Sequence, residues 1–382
     1  MNILVNGSNL NGGGGTQVAD SFCLTLENFP THNFVVVLPT ALHSIACKIR
    51  NYPNVRVYTY TYPSKDWRSL LTGRNAFLDK LVDTEKIDIV FTIFAPMKWR
   101  PRVPHFAGFA ISHLLMPESP YFKNMSFRQR ISWKVTLMVW KFIFSRTDNF
   151  YTENPLITRR LSKLFPRKKI CTITNCYNQV FDFPEKQKYH ELPHFDGWQF
   201  LNVGSASPHK NLAISIEVAR ILKTDFKEQL QESGKASFRF VFTIYDAEFP
   251  RIPDDLKDCF LFIGRVDISE VPSLYQQSDV LFQPTLLECF TAVYPEAMRM
   301  QKPIITTDLE FAKGLCGEAA LYYSAMDPYS AAESIIQVIS NPAVRQGLVD
   351  RGVYELKKFD DYKTRSKKII ALCEQFVTSS EN

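Results

Sequence analysis

Short apolar runs alternate with stretches of helical periodicity along this chain, and they do so twice. In the first half, Asn2–Asn6 precedes a glycine turn and a helix-like stretch at 16–26, and further strand-like runs follow at Asn33–Leu38 and 87–91. Such alternation predicts parallel strands joined by crossover helices, an α/β architecture. It breaks at 181–197, FDFPEKQKYHELPHFDG, where two prolines and mixed charge leave little apolar periodicity. This stretch reads as an inter-domain linker. The alternation then resumes with a strand at 200–203, a helix at 211–223, and strands at 238–244 and 259–263. The predicted layout is an N-terminal domain over 1–180, the linker 181–197, a second domain over 198–353 and a charged helix within 354–382. That last helix either closes the second domain or crosses back to the first; the sequence leaves both open. A chain of 382 residues is too long for one ordinary core, since domains average roughly 150 residues.

Charge and cysteine usage narrow the setting. The chain carries 45 Lys and Arg against 39 Asp and Glu, a formal charge of +6. That excess suits an anionic nucleotide or an anionic membrane face and does not imply nucleic acid. Eight cysteines lie scattered without CxxC spacing, so neither a zinc site nor a disulfide framework stands out. A reducing compartment fits, and the short apolar start, lacking a basic leader, reads as a first strand and not as a signal peptide. The longest apolar stretch, 135–144, is broken by Lys141 and falls short of the roughly 18 residues that span a bilayer. The expectation is a cytoplasmic protein that does not cross a membrane.

The chemistry points to the second domain. Glu288 and Glu296 stand with seven residues between them, the last of which is Pro295. In one continuous helix they would sit roughly 80° apart about the axis, an awkward pair for one ligand. Proline is tolerated mainly in a first helical turn, so Pro295 puts Glu296 at a helix start and Glu288 in the loop before it. The run at 278–284 reads as a short buried strand ending in a proline, giving the order strand, loop, helix. At such an edge, helix N–H groups suit a diphosphate, and a carboxylate accepts hydrogen bonds from sugar hydroxyls.

Other constellations are weaker. Gly12, Gly13, Gly14 and Gly15 follow the first strand and precede a helix, so their backbone can approach a phosphate closely. Their spacing is neither GxGxxG nor a phosphate loop ending in GK[ST]. Lys210, in VGSASPHKN, also sits between strand and helix, where a cation is locally unfavourable unless an anion binds nearby. There it is placed to stabilise charge on a diphosphate leaving group. His113 precedes a proline-punctuated loop and is a candidate for donor-sugar contact or proton transfer, against a satisfied structural histidine. His190 and His194 have metal-compatible spacing but no thiol or carboxylate framework, and are expected to face solvent. The segment 126–146 interleaves aromatics with Arg128, Arg130, Lys134, Lys141 and Arg146. It reads either as an interfacial membrane helix or, slightly preferred, as a domain helix with its aromatics in the core.

Together these residues resemble the retaining nucleotide-sugar glycosyltransferases of the GT-B fold, the glycosyl transferases group 1 with the E-x7-E motif. The strongest likeness is the block FIGRVDISEVPSLYQQSDVLFQP at 262–284, followed by Glu288, Glu296, Ala297, Met298 and KPIITT at 302–307. Weaker matches are the glycine turn, Ile173-Thr174-Asn175, and Gly204 to Lys210. The resemblance implies two Rossmann-like parallel-sheet domains facing each other across a cleft. It implies that Glu288 contacts the donor sugar and Glu296 the ribose hydroxyls. Phe290, Thr291 and Ala292 would offer backbone amides, Arg265 would meet the base through its main chain, and Lys210 would hold the diphosphate. Gly13, Gly14 and Gly15 would close over the phosphates, and His113 would lie near the donor sugar.

The chain departs from the pattern at two positions. Ser205 stands where the family usually has an arginine, removing one cation from the diphosphate site. Thr291 replaces a common glycine, and its hydroxyl is placed to cap the following helix. The activity implied is transfer of a sugar, a hexose in most members, from a nucleoside-diphosphate sugar to a saccharide or lipid-linked acceptor with retention of configuration. It serves polysaccharide or glycoconjugate assembly. No metal and no separate cofactor are expected, since the donor is a substrate and no DxD triplet is present. Peripheral membrane contact through 126–146 would place the enzyme on the cytoplasmic face. The competing expectations are a nucleotide-sugar epimerase or phosphorylase on the same fold, or a membrane-surface module with a degenerate nucleotide site.

Overall fold

A computed structural model describes residues 1–10, 12–63, 67–123 and 125–378. The chain forms two compact units. The first comprises Met1–Pro117, Met125–Asn175 and the chain from Asp360 onward, of which 379–382 lie outside the described residues. The second comprises 118–124 and Cys176–Phe359.

In the first unit the strands are β1 (Asn2–Asn6), β2 (Asn33–Leu38), β3 (Val55–Thr59), β4 (Ile89–Ala95), β5 (His105–Phe109), β6 (Asn149–Thr152) and β7 (Ile170–Thr172). They form a parallel sheet in the order β3-β2-β1-β4-β5-β6-β7. Successive residues of β1 serve opposite faces: Ile3 and Val5 join one core cluster and Leu4 joins another. Burial on both faces explains why the interiors of β1 and β2 read as unbroken apolar runs. The helix Gly14–Cys23 covers one face with Val18, Ala19 and Phe22. On the other, the helix Ala76–Thr84 sets Leu78, Leu81 and Val82 beside Leu4, Val35 and Val90. The first of these helices starts two residues before the sequence reading places it, because Gly13, at φ 67°, provides the turn.

The C-terminal helix Tyr362–Thr378 belongs with this first core. Ile369, Ile370, Cys373 and Phe376 pack with Ile3, Phe22 and Phe106. Arg365 fixes its position, donating to Tyr151 Oη and Glu153 Oε1 at 3.0 Å each. Both members of the Arg365–Glu153 pair are buried, so each charge depends on the other.

In the second unit β8 (Trp198–Asn202), β9 (Phe238–Phe242), β10 (Phe260–Phe262), β11 (Val280–Gln283), β12 (Ile304–Thr307) and β13 (Ala320–Tyr323) form a parallel sheet ordered β10-β9-β8-β11-β12-β13. Phe200, Phe240, Phe242 and Phe282 fill one face, each contributing roughly 2 kcal/mol of transfer free energy. Segment 181–197 lies along the helix Val271–Gln277. Lys188 N donates to Ser269 O, His190 N to Ser273 Oγ and Leu192 N to Gln277 Oε1, all at 2.9 to 3.0 Å. His190, expected to face solvent, is half-buried with Nδ1 3.5 Å from Glu270; His194 is exposed.

Candidate active site

In both sheets the strand order reverses beside the first strand of the unit, between β1 and β4 and between β8 and β11. Open parallel sheets bind ligands at such switch points, beyond the carboxyl ends of the strands, where the two connecting loops diverge. In the second unit β8 and β11 are paired, with Leu281 opposite Leu201, so the loops that follow them emerge side by side. Lys210 belongs to the first of these loops and Glu288 to the second.

Backbone bonds join the two loops. Leu286 N donates to His209 O at 2.8 Å, and Thr285 Oγ1 reaches the same carbonyl at 3.3 Å. Lys210 ends the short turn Pro208–Lys210, after which Asn211 takes a left-handed conformation at φ 53°. This places the Lys210 ammonium on Glu288 Oε1, which also lies 2.9 Å from Thr285 Oγ1. The two charged side chains are 13% and 10% exposed, which leaves them reachable but largely desolvated. Burial also holds the neighbouring His209 imidazole below its ordinary pKa. The loop after β11 is pinned from a distant part of the chain, since buried Ser119 Oγ donates to Leu286 O at 2.7 Å.

Glu296 sits in a separate network. The helix Val293–Arg299 begins where Pro295 requires, with Glu296 in its first turn and 4% exposed. The Tyr275 hydroxyl lies 3.1 Å from Glu296 Oε2 and 3.2 Å from Val293 O, with one proton to share between them. Burial pushes the Glu296 carboxyl up to about 7, and the hydrogen bond that the Tyr275 hydroxyl donates to it opposes the shift.

Thr291 does not cap this helix. Ala292 occupies the capping position and no side-chain bond is made there; Thr291 is buried instead. The half-buried Phe290 packs edge-on to Phe359, with centroids 6.1 Å apart. Ser205 is exposed beyond Gly204, which has φ 150°, and its hydroxyl lies 2.9 Å from Ser207 Oγ. Arg265 points outward and pairs with Glu248 at 3.1 Å. Beside it Gly264 adopts φ 71°, and a Cβ there would lie 2.7 Å from the Tyr245 ring.

The remaining sequence candidates belong to the first unit. Gly12 and Gly13 have φ 122° and 67°, and a Cβ added at Gly12, Gly13 or Gly14 would meet nothing within 4 Å. At Gly15 it would touch Leu10 at 3.1 Å. The loop after β1 therefore presents bare backbone at that unit's switch point. His113, in the turn Ser112–Leu115, stacks on Trp133 with centroids 4.9 Å apart and planes 4° from parallel. Among the described residues, no three His, Cys, Asp or Glu side chains cluster so as to hold a metal ion.

Sequence reasoning missed Thr285, Ser119 and Tyr275. Thr285 was within reach, being three residues before Glu288. Ser119 carries no local signal because it acts on a loop 167 residues away.

Residues 198–341 match the family described as Glycosyl transferases group 1. A curated relative, the O-antigen chain mannosyltransferase RfbU of Salmonella typhimurium, is 24% identical over 236 residues. That match covers 58% of this chain, and the chain spans 59% of the relative's length. Among solved structures, sucrose-phosphate synthase from Thermosynechococcus elongatus superposes with a TM-score of 0.68 at 14% identity, covering 99% of both chains. WaaG, a glycosyltransferase involved in lipopolysaccharide biosynthesis, gives 0.67 at 13% identity, covering 96% of this chain and 98% of its own. Anabaena Alr3699/HepE, solved in complex with UDP and glucose, gives 0.65 at 14% identity over 98% of this chain and 100% of its own. The fold is the GT-B architecture of two Rossmann-like parallel-sheet domains.

Proposed function

We propose that this chain, whose residues 198–341 match the glycosyl transferases group 1 family, moves a sugar from a nucleoside-diphosphate donor to a hydroxyl of a saccharide or lipid-linked saccharide. The observation that carries the reading is the Lys210–Glu288 pair, held on adjacent loops at the β8/β11 switch point of that domain. A lysine and a carboxylate that neutralise each other without ligand are poised to exchange partners when a donor enters. Lys210 turns to the diphosphate and Glu288 accepts hydrogen bonds from sugar hydroxyls.

In the reaction the bond between the anomeric carbon and the phosphate oxygen breaks, and its electron pair leaves with the nucleoside diphosphate. Lys210 and nearby backbone N–H groups meet the growing charge. The acceptor oxygen attacks the same face of the sugar, and its proton passes to the departing phosphate oxygen, so configuration is retained. Glu296 binds the ribose hydroxyls, while Ser205, Phe290, Thr291, Ala292 and the Arg265 main chain line the nucleotide. Gly13, Gly14, Gly15 and His113 are assigned to donor phosphates and sugar on the family's pattern. The leaving-group charge is met by protein groups without a metal or other cofactor. The setting is polysaccharide or glycoconjugate assembly on the cytoplasmic side of a membrane.

The test begins with a panel of nucleotide sugars scored by thermal stabilisation, where a ligand at a hundredfold its dissociation constant adds about 2.7 kcal/mol. Turnover of the stabilising donor is then followed with an acceptor mixture, with and without chelator, and the product's anomeric configuration is read by NMR. No stabilisation by any nucleotide sugar would sink the proposal. Isomerisation of the donor alone would mark an epimerase, and inversion would overturn the retaining step.

A further inference from the structure

The helix Phe127–Ser145 carries an apolar face that the fold leaves uncovered. It is capped by a reciprocal Ser126–Gln129 box and packs through half-buried Trp133 and Trp140 and buried Ile143 and Phe144. The sequence preference for its aromatics facing the core therefore holds for only one side. On the other side Phe127, Ile131, Val135, Met138, Val139 and Phe142 are all exposed, Phe127 at 78% and Met138 at 71%. Steps of four, four, three and four from Phe127 to Phe142 keep these side chains on one stripe. From Phe127 to Phe142 the stripe runs about 23 Å. A contiguous apolar surface of this kind is uncommon on a protein that stays in water.

The stripe is extended and framed by charge. Arg146 donates to Leu71 O at 3.1 Å and Ser69 O at 3.2 Å while its guanidinium lies 4.4 Å from the Phe142 ring centroid. That holds a neighbouring turn, with Leu71 77% exposed, at the end of the stripe. At about 100° per residue, exposed Lys134 and Lys141 flank the stripe on one side, and Arg128 lies along its other edge, between Val135 and Val139. Residues 125–147 hold five cations and no Asp or Glu.

We propose that this face docks on the surface of a bilayer rich in anionic headgroups. The helix would lie in the interface with its apolar stripe among the acyl chains and its flanking cations on the headgroups. Charge complementarity selects this occupant over a second copy of the chain. Symmetric pairing through the stripe would set the same cations against one another, whereas an anionic bilayer satisfies both the stripe and its borders. Among the described residues no helix is long and apolar enough to cross a membrane, so the contact is one of adsorption. The inference stands on this surface alone and does not depend on the sugar-transfer reading.

Sedimentation of the full chain with vesicles tests it, without donor or acceptor present. Binding is expected to vesicles of phosphatidylcholine mixed with phosphatidylglycerol, to be weak to phosphatidylcholine alone, and to fall steeply with salt. Phe127→Ser/Met138→Ser/Phe142→Ser should reduce partitioning about tenfold or more. Lys134→Glu/Lys141→Glu should do likewise and shift the salt dependence. All substituted side chains are exposed, and an unchanged thermal melt confirms that each variant folds. Wild-type protein that ignores anionic vesicles, or either folded variant binding as wild type does, overturns the proposal. So does a dimer in solution that the triple variant dissociates, which would name a second copy as the occupant.

Discussion

Glu296→Gln replaces a carboxyl that burial holds up to about 7, against an ordinary 4.5, with an amide that cannot ionise. The folded chain thus binds this proton more tightly than the unfolded chain does. Stability from the group is complete below pH 4.5 and is lost as pH rises through 7. The difference of 2.5 between those two values, at 1.36 kcal/mol per unit, makes the wild type about 3 kcal/mol less stable at pH 8 than at pH 4.5 on this account. The glutamine amide oxygen can accept from the Tyr275 hydroxyl as the carboxyl oxygen does, so the variant keeps the network and loses the pH dependence. Urea unfolding of both proteins from pH 4.5 to 8 measures it, with hydrogen exchange of the helix Val293–Arg299 as the local readout. A stability difference that stays constant across that range would refute the reasoning. If Glu296 holds the donor's ribose as proposed, hydroxyls donating to it would favour its ionised form, and donor affinity should then fall about tenfold per pH unit below 7.

Lys210→Ala should lower donor turnover about a hundredfold by removing leaving-group stabilisation, read as kcat in a donor-saturated assay. The same change strands the Glu288 carboxylate, which retains Thr285, and is expected to destabilise the protein by about 3 kcal/mol in urea titrations, with Lys210→Ala/Glu288→Gln recovering most of that loss. Arg365→Met leaves buried Glu153 without its cation and should cost about 3 to 5 kcal/mol, while adding Glu153→Leu restores stability; an additive loss would refute the pairing. Ser119→Ala leaves Leu286 O without its side-chain donor and should cost about 1 kcal/mol in urea titrations while raising KM for the donor, because it loosens the loop that carries Glu288.

The architecture was legible because parallel strands covered on both faces must be apolar throughout, as in β1, β2 and β11, and because glycine and proline mark their ends. Pro295 likewise placed Glu296, since a pyrrolidine ring fits a first helical turn and little else in a helix. Local chemistry failed where several local solutions exist. Thr291 has the hydroxyl a cap needs, yet packing buried it and gave the capping position to Ala292. The aromatics of the helix Phe127–Ser145 read as core or interface alike, because a sequence fixes which residues share a face and not which face meets a neighbour.

Sequence alone thus determined the two α/β repeats, the strand, loop and helix around the two glutamates, and the candidacy of Lys210, all properties of contiguous residues. Tertiary structure decided that β8 and β11 are neighbours, and with that the meeting of Lys210 and Glu288. It also sent the C-terminal helix to the first core through Arg365 and Glu153 and brought Ser119 to the loop of Glu288. Strand order and long-range pairing arise from contacts between segments far apart in the chain. No local propensity encodes them; they are set when the apolar faces of the whole unit are buried together.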